Sequence, residues 1–149
     1  MVLSEVSRRE VSWEEYDEMV QSIISQLGKW KPDAIIGLTR GGLIPAVNLS
    51  HYYDCKLYTL NISLRDGKAP KSKFKWQDVY KYNNLLIVDD INDSGRTLRE
   101  VHNQFYLRDM KNPKFATLLS KPSSQMKVNV CGETINKDRE DDWIVFPWE

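Results

Sequence analysis

The stretch Leu85-Leu86-Ile87-Val88-Asp89-Asp90-Ile91-Asn92-Asp93-Ser94-Gly95-Arg96-Thr97-Leu98 decides how the chain is read. Its first four residues are apolar and of strand length, and a helical pattern begins near Arg96. An acidic pair and a glycine-containing turn therefore lie between a buried strand and a helix. In an open α/β sheet ligands bind at such junctions, beyond the carboxyl ends of strands, where the next helix offers free N–H groups and a partial positive charge. Asp93-Ser94-Gly95-Arg96-Thr97 reads as a phosphate cradle of amides, two hydroxyls and a glycine that permits tight turning. Asp89 and Asp90, just upstream, suit a sugar diol or a Mg2+ ion. Taken singly, these residues also describe an ordinary strand end and capped helix. The acidic pair, Asp93, a hydroxyl, the glycine and Thr97 in one order after a buried strand favour a site.

Upstream, a second unit of the same kind precedes this one. Ala34-Ile35-Ile36-Gly37-Leu38 is a short apolar strand leading into Thr39-Arg40-Gly41-Gly42, and residues 43–53 read as a helix with Pro45 tolerated in its first turn. The glycine pair lets backbone N–H groups approach an anion, and Arg40 adds a fixed charge. Before it, Ser12-Trp13-Glu14-Glu15 is a capping-box sequence that opens an amphipathic helix ending near Gly28. The apolar face of that helix, Tyr16, Met19, Val20, Ile23, Ile24 and Leu27, reads as core.

Residues 56–64 alternate apolar and polar side chains with β-branched and aromatic content, which reads as a strand. Residues 65–82 are rich in lysine, with Gly67 and Pro70 as breakers, and read as a long flexible loop. Loops of that length are commonly functional lids. Beyond the central stretch, Leu98, Val101 and Phe105 form a core-facing stripe on a helix that ends before Asn112-Pro113. Residues 115–119 give another strand, which delivers Ser120-Lys121-Pro122 to the same carboxyl edge, where Lys121 can donate to a substrate carbonyl. Residues 127–131 give a last short strand, and the aromatics of the terminus read equally as a tail docked on the core or, at Trp143, as a flat face on which a base can stack.

Composition narrows the class. At 149 residues one domain is expected, and a chain of this size buries roughly 68–70% of its unfolded surface. The 21 basic and 21 acidic residues cancel, so no global field recruits nucleic acid or an anionic membrane. Cys55 and Cys131 form neither a C-x-x-C pair nor a disulfide framework and are expected to be reduced. The first ten residues lack the apolar core of a leader, and no run approaches the ~18 apolar residues of a membrane span. The expectation is a cytoplasmic protein with neither a nucleic-acid nor a membrane partner.

The central stretch closely resembles the phosphoribosyl diphosphate (PRPP) signature of type I phosphoribosyltransferases, and Thr39-Arg40-Gly41-Gly42 looks like the loop with which that family binds pyrophosphate, often through a non-proline cis peptide. Ser120-Lys121-Pro122 and Trp143-Ile144…Pro147-Trp148-Glu149 extend the resemblance to the xanthine-guanine branch of the purine enzymes. Two departures, Ser94 where threonine is usual and Arg96 where some members carry a small residue, remain compatible with phosphate binding.

The resemblance implies one α/β domain over residues 1–149, a mainly parallel central sheet flanked by helices. Residues 65–82 would be a flexible lid closing over PRPP, and residues 121–149 a small C-terminal hood that binds the base. It implies transfer of 5-phosphoribose from PRPP to N9 of a 6-oxopurine (guanine, xanthine or hypoxanthine), releasing pyrophosphate, with Mg2+ required. In that reading Asp89 and Asp90 hold the ribose hydroxyls and Mg2+, Asp90 being the metal contact. Asp93 sits near purine N7 as the proton-transfer group, and Ser94, Gly95, Arg96 and Thr97 take the 5′-phosphate. Arg40 and Gly41 take pyrophosphate oxygens. Lys121 donates to O6, Trp143 stacks, the Ile144 backbone meets the edge at C2, and Glu149 contacts the C2 substituent or a metal-bound water. The family also implies a homo-oligomer, dimer or tetramer.

Two alternatives stand beside this reading. A PRPP-binding regulator on the same fold would be expected to carry a basic face, and would have no use for Lys121 and the Trp143 segment. A phosphoribosyltransferase for another base is the second: adenine presents an amino group where Lys121 can only donate, whereas orotate stays open. Neither the P-loop pattern nor the dinucleotide-binding pattern occurs in the chain.

Overall fold

A computed structural model describes residues 7–62 and 73–149. Five parallel strands form the central sheet: β2 (Ala34–Leu38), β3 (Lys56–Leu60), β4 (Leu85–Asn92), β5 (Lys114–Ser120) and β6 (Val130–Thr134), in the order β3-β2-β4-β5-β6. Three helices pack on it, α1 (Trp13–Leu27), α2 (Leu43–Tyr53) and α3 (Arg96–Leu107). The short strands β1 (Arg8–Glu10) and β7 (Trp143–Val145) pair in parallel with each other, apart from the main sheet.

The alternation of β4 explains why helices cover both faces. Leu86 and Val88 join the core beneath α1 and α2, whereas Leu85 and Ile87 join Leu98, Val101 and Phe105 of α3 on the other side. Helix α1 starts as the capping box requires: Ser12 Oγ accepts from Glu15 N at 3.1 Å, and Glu15 Oε1 accepts from Ser12 N at 3.3 Å. Among the described residues, no helix is long and apolar enough to cross a membrane. Cys55 and Cys131 are free.

Several boundaries differ from the sequence reading. The strand expected over 56–64 ends at Leu60, and the last strand of the main sheet runs over Val130–Thr134 rather than 127–131. Strand β4 is twice its expected length, because Asp89, Ile91 and Asn92 continue the ladder with β5. Within the segment read as a lid, residues 65–72 lie outside those described. Residues 73–82 are packed rather than free: Trp76 forms a 3-10 turn with Gln77 and Asp78, and it and Val79 are buried. The Trp76 ring meets Phe105 edge-on at 5.3 Å, and the Arg108 guanidinium lies 4.4 Å from its centroid. Burial of these two apolar side chains outweighs the lysine content around them.

Candidate active site

The carboxyl ends of β2, β4 and β5 and the loops beyond them build one cleft in two lobes. Asp90 and Glu149 line both lobes. One lobe, about 420 Å3, also holds Asp93, Lys121, Trp143 and Ile144. The other, about 470 Å3, also holds Arg40, Gly41 and Trp148. Asp89 and Ser94, Gly95, Arg96 and Thr97 line neither lobe; the last four start α3 at the cleft's margin.

Asp90 faces the cleft because it follows Leu86 and Val88 on the same side of β4, and Asp89 points the other way. A Cβ at Gly41 would overlap the Asp90 carboxylate, so the Arg40–Gly41 loop lies directly against it. The Thr39–Arg40 peptide bond is cis. Among the described residues Arg40 is exposed and makes no ion pair, so its charge is available to an anion.

The acidic pair is short of partners. Asp89 Oδ1 accepts from Asp90 N at 2.9 Å, and Asp90 Oδ1 accepts from Ile91 N at 2.7 Å. Burial, and then the neighbouring Asp90 charge, hold the Asp89 carboxyl well above the usual carboxylate range. Burial raises Asp90 too, and Glu149 adds to it. Two carboxyls so placed are a site that a cation would relieve. Among the described residues no three metal-ligating side chains cluster. A pair of carboxylates is what Mg2+ takes from a protein where substrate oxygens and water complete its shell.

The turn after β4 is held from below by Asn92, which is fully buried. Its amide donates to Met126 O at 2.6 Å and to Ser120 Oγ at 3.1 Å, and its carbonyl accepts from Ser124 Oγ at 2.8 Å. Lys121 N donates to Asn92 O at 2.9 Å. The end of β4 and the Lys121 loop are thus one unit, and the Lys121 ammonium reaches back to Asp93 Oδ1 at 2.7 Å. Gly95, at φ +89°, caps α3; a Cβ there would lie 2.6 Å from Ser124 Oγ and 2.7 Å from Met126 N. No side chain caps α3. Its first-turn amides remain for an anion, apart from Arg96 N, which donates to Ser94 Oγ at 3.3 Å.

Pairing of β1 with β7 positions the far wall. Trp143 N donates to Ser7 O at 2.7 Å, and Val11 N donates to Val145 O at 2.8 Å. Residues 143 and 145 therefore turn their backbone groups toward β1, and Ile144 between them turns its N–H and C=O to the open edge. The Trp143 ring is 64% exposed, enough to offer a planar ligand a face. The chain's last turn closes on itself, with Glu149 N donating to Phe146 O at 3.0 Å. Trp148 stacks on Phe146 at 5.0 Å and meets Tyr16 of α1 edge-on at 5.5 Å.

The cleft also contains residues that sequence reasoning did not select. Glu140, Asp141 and Asp142 line the lobe of Lys121, and Trp148 lines that of Arg40. A charged run before Trp143 carried no sign of which way it would face; the 3-10 turn Lys137–Arg139 decides that.

A parallel sheet with this strand order, an acidic strand end leading into an uncapped helix, and a basic loop across the cleft define a class of nucleotide-handling enzymes. The phosphoribosyl transferase domain model matches residues 4–149, and the chain belongs to that family. More particularly, it is 30% identical to the xanthine-guanine phosphoribosyltransferase of Cereibacter sphaeroides, over 93% of this chain and 85% of that protein. The crystal structure of a purine phosphoribosyltransferase from Pyrococcus horikoshii Ot3 superposes with a TM-score of 0.83 at 32% identity, covering 96% of this chain and 94% of that one. Likeness of fold alone extends to the Helicobacter pylori xanthine-guanine-hypoxanthine phosphoribosyltransferase, with a TM-score of 0.80 at 23% identity over 95% of this chain and 94% of that one.

Proposed function

We propose that the chain is a purine salvage enzyme that transfers 5-phosphoribose from PRPP to N9 of a 6-oxopurine, releasing pyrophosphate. The observation that carries this reading is the continuity of the two lobes through Asp90: a flat-ligand lobe with Lys121 and Trp143 opens directly onto a lobe with Arg40 and Gly41.

Purine O6 and N7 are neighbouring atoms on one edge, and the Lys121–Asp93 pair presents a donor and a carboxylate 2.7 Å apart to meet them. Lys121 donates to O6. Asp93 accepts the proton of an N7–H tautomer as the N9 lone pair bonds to C1′ and the C1′–O bond to pyrophosphate breaks. Trp143 stacks on the ring, worth ~1–3 kcal/mol per base, and the free edge of Ile144 meets the C2 side. Arg40 and the Gly41 amide hold the departing pyrophosphate, and Ser94 to Thr97 hold the 5′-phosphate at the start of α3. Asp90, facing both lobes, would hold Mg2+, with Asp89 on the ribose side; the ion supplies neutralisation of the leaving group's charge. Acceleration comes from positioning and from fixed charges rather than from covalent chemistry.

The same reading places the enzyme in the cytoplasm as a homo-oligomer. Tyr106 and Leu107 of α3, 75% and 73% exposed, offer an apolar patch for a second copy. A monomer by sedimentation under active conditions would contradict that assembly. The enzyme reading is tested by pyrophosphate release from PRPP and Mg2+ with guanine, hypoxanthine, xanthine, adenine and orotate offered separately. Release with a 6-oxopurine supports it; PRPP binding without release on any base would make the chain a PRPP-binding regulator instead.

A further inference from the structure

The lobe that holds Lys121 is unevenly charged. Six carboxylates face it, those of Asp90, Asp93, Glu140, Asp141, Asp142 and Glu149, against the single cation Lys121. That cation is already engaged, since its ammonium lies 2.7 Å from Asp93 Oδ1. Of the six, among the described residues, Asp142 alone has an arginine beside it, Arg139 Nε at 3.8 Å. Glu140 accepts from Ser123 N at 2.9 Å, and that bond keeps its carboxyl below the usual range. Asp141 is exposed and, among the described residues, has no ion-pair partner. Glu149 accepts from Phe146 N at 3.4 Å and, among the described residues, forms no ion pair. The hood side of the lobe is thus lined with carboxylate acceptors around any ligand placed against Trp143.

The 6-oxopurines differ in what they show such a wall. Guanine is neutral around physiological pH and carries donors at N1 and at its C2 amino group. Hypoxanthine is neutral with a donor at N1 and none at C2. Xanthine carries an acceptor oxygen at C2 and loses a proton near neutrality, so that an anion with an acceptor edge would have to enter beside carboxylates. The Ile144 carbonyl, turned to the open edge of β7, adds one more acceptor on the side where guanine has its donors.

We propose that Glu140, Asp141 and Glu149 make this chain selective for neutral 6-oxopurines, foremost the one with a donor at C2, in the order guanine, hypoxanthine, xanthine, and that they exclude the xanthine anion. The inference rests on the transferase reading above and names which substrate that site takes. It separates this chain from a relative whose name couples xanthine with guanine.

The test is kcat/KM for guanine, hypoxanthine and xanthine at saturating PRPP and Mg2+, from about pH 6.5 to about pH 8.5. Guanine should exceed xanthine at every pH, and the guanine-to-xanthine ratio should grow about tenfold per pH unit once xanthine has ionised, because only its neutral form enters. In the double variant Glu140→Gln, Asp141→Asn the ratio should fall by roughly fivefold to tenfold, with the hypoxanthine-to-guanine ratio little changed. The wild-type pH profile stands as a test even if that variant folds poorly. Xanthine used as well as guanine, or a ratio flat with pH, would overturn the selectivity while leaving the transferase reading intact. Silence with all three bases would overturn both.

Discussion

Lys121 Nζ lies 2.7 Å from Asp93 Oδ1, joining the loop after β5 to the turn before α3 across the mouth of the cleft. Lys121 is 17% exposed and Asp93 65% exposed, so the lysine is the anchored member and the aspartate the one that faces incoming ligand. In the proposed reaction a base seated here meets both at once. Lys121→Ala removes a charge-assisted bond worth about 1.5–3 kcal/mol. It should lower kcat/KM for the base roughly 10- to 100-fold while leaving KM for PRPP within about twofold. Steady-state kinetics with each substrate varied in turn checks this.

Asp93→Asn keeps the shape and removes the proposed proton acceptor. Turnover should fall by about two to four orders of magnitude, with PRPP binding by calorimetry little altered. Unchanged turnover would remove Asp93 from the proton-transfer role.

Asn92 is the buried hub beneath this pair, and its substitution by alanine removes its bonds to Met126 O and to the hydroxyls of Ser120 and Ser124, leaving the Ser124 hydroxyl and the Met126 backbone, among the described residues, only their bonds to each other. Asn92→Ala should destabilise the fold by about 1–3 kcal/mol in urea unfolding. It should also raise KM for the base more than KM for PRPP, because the Lys121 loop loses its anchor. Equal effects on both would make Asn92 a purely structural residue.

The raised carboxyls of Asp89 and Asp90 predict how stability changes with pH. A carboxyl whose folded pKa lies above its unfolded value binds more protons when folded, so the slope of unfolding free energy against pH is negative for it. The metal-free protein should lose stability as pH rises from the ordinary aspartate range through the folded values. Added Mg2+ should restore it, and more strongly at neutral than at acidic pH. Asp90→Asn should flatten both responses in thermal melts. A melt insensitive to Mg2+ at neutral pH in the presence of PRPP would remove Asp90 as the metal contact.

Much of the site was legible because its residues are contiguous and their neighbours constrain them. Leu85 to Val88 can only be a buried strand, and the residues after Val88 must emerge at the sheet edge. The same logic placed Arg40 and Gly41 after β2 and Lys121 after β5. Ser12 and Glu15 announced α1 by chemistry that acts over three residues. The features that stayed hidden depend on distant partners. Arg8 to Glu10 is too short to show alternation, and becomes a strand only because β7 lies beside it. Asn92 resembles any turn residue until Ser120, Ser124 and Met126 surround it. Trp76 and Val79 sit among lysines and are buried only because Phe105 and its neighbours on α3 leave room for them. Glu140 and Asp141 belong to a charged run whose facing shows only once the turn before it, Lys137–Arg139, and the pairing of β7 after it with the N-terminal strand are in place.

The most direct measurement tracks the new bond itself. Guanine labelled with 15N at N9 and PRPP labelled with 13C at C1′ are incubated with the protein and Mg2+, and the product is examined by NMR. The account predicts a one-bond coupling between the two labels, appearing with stoichiometric pyrophosphate and lost in Asp93→Asn on the same time scale. Both labels remaining in unreacted guanine and PRPP, with the protein folded and PRPP bound, would contradict it.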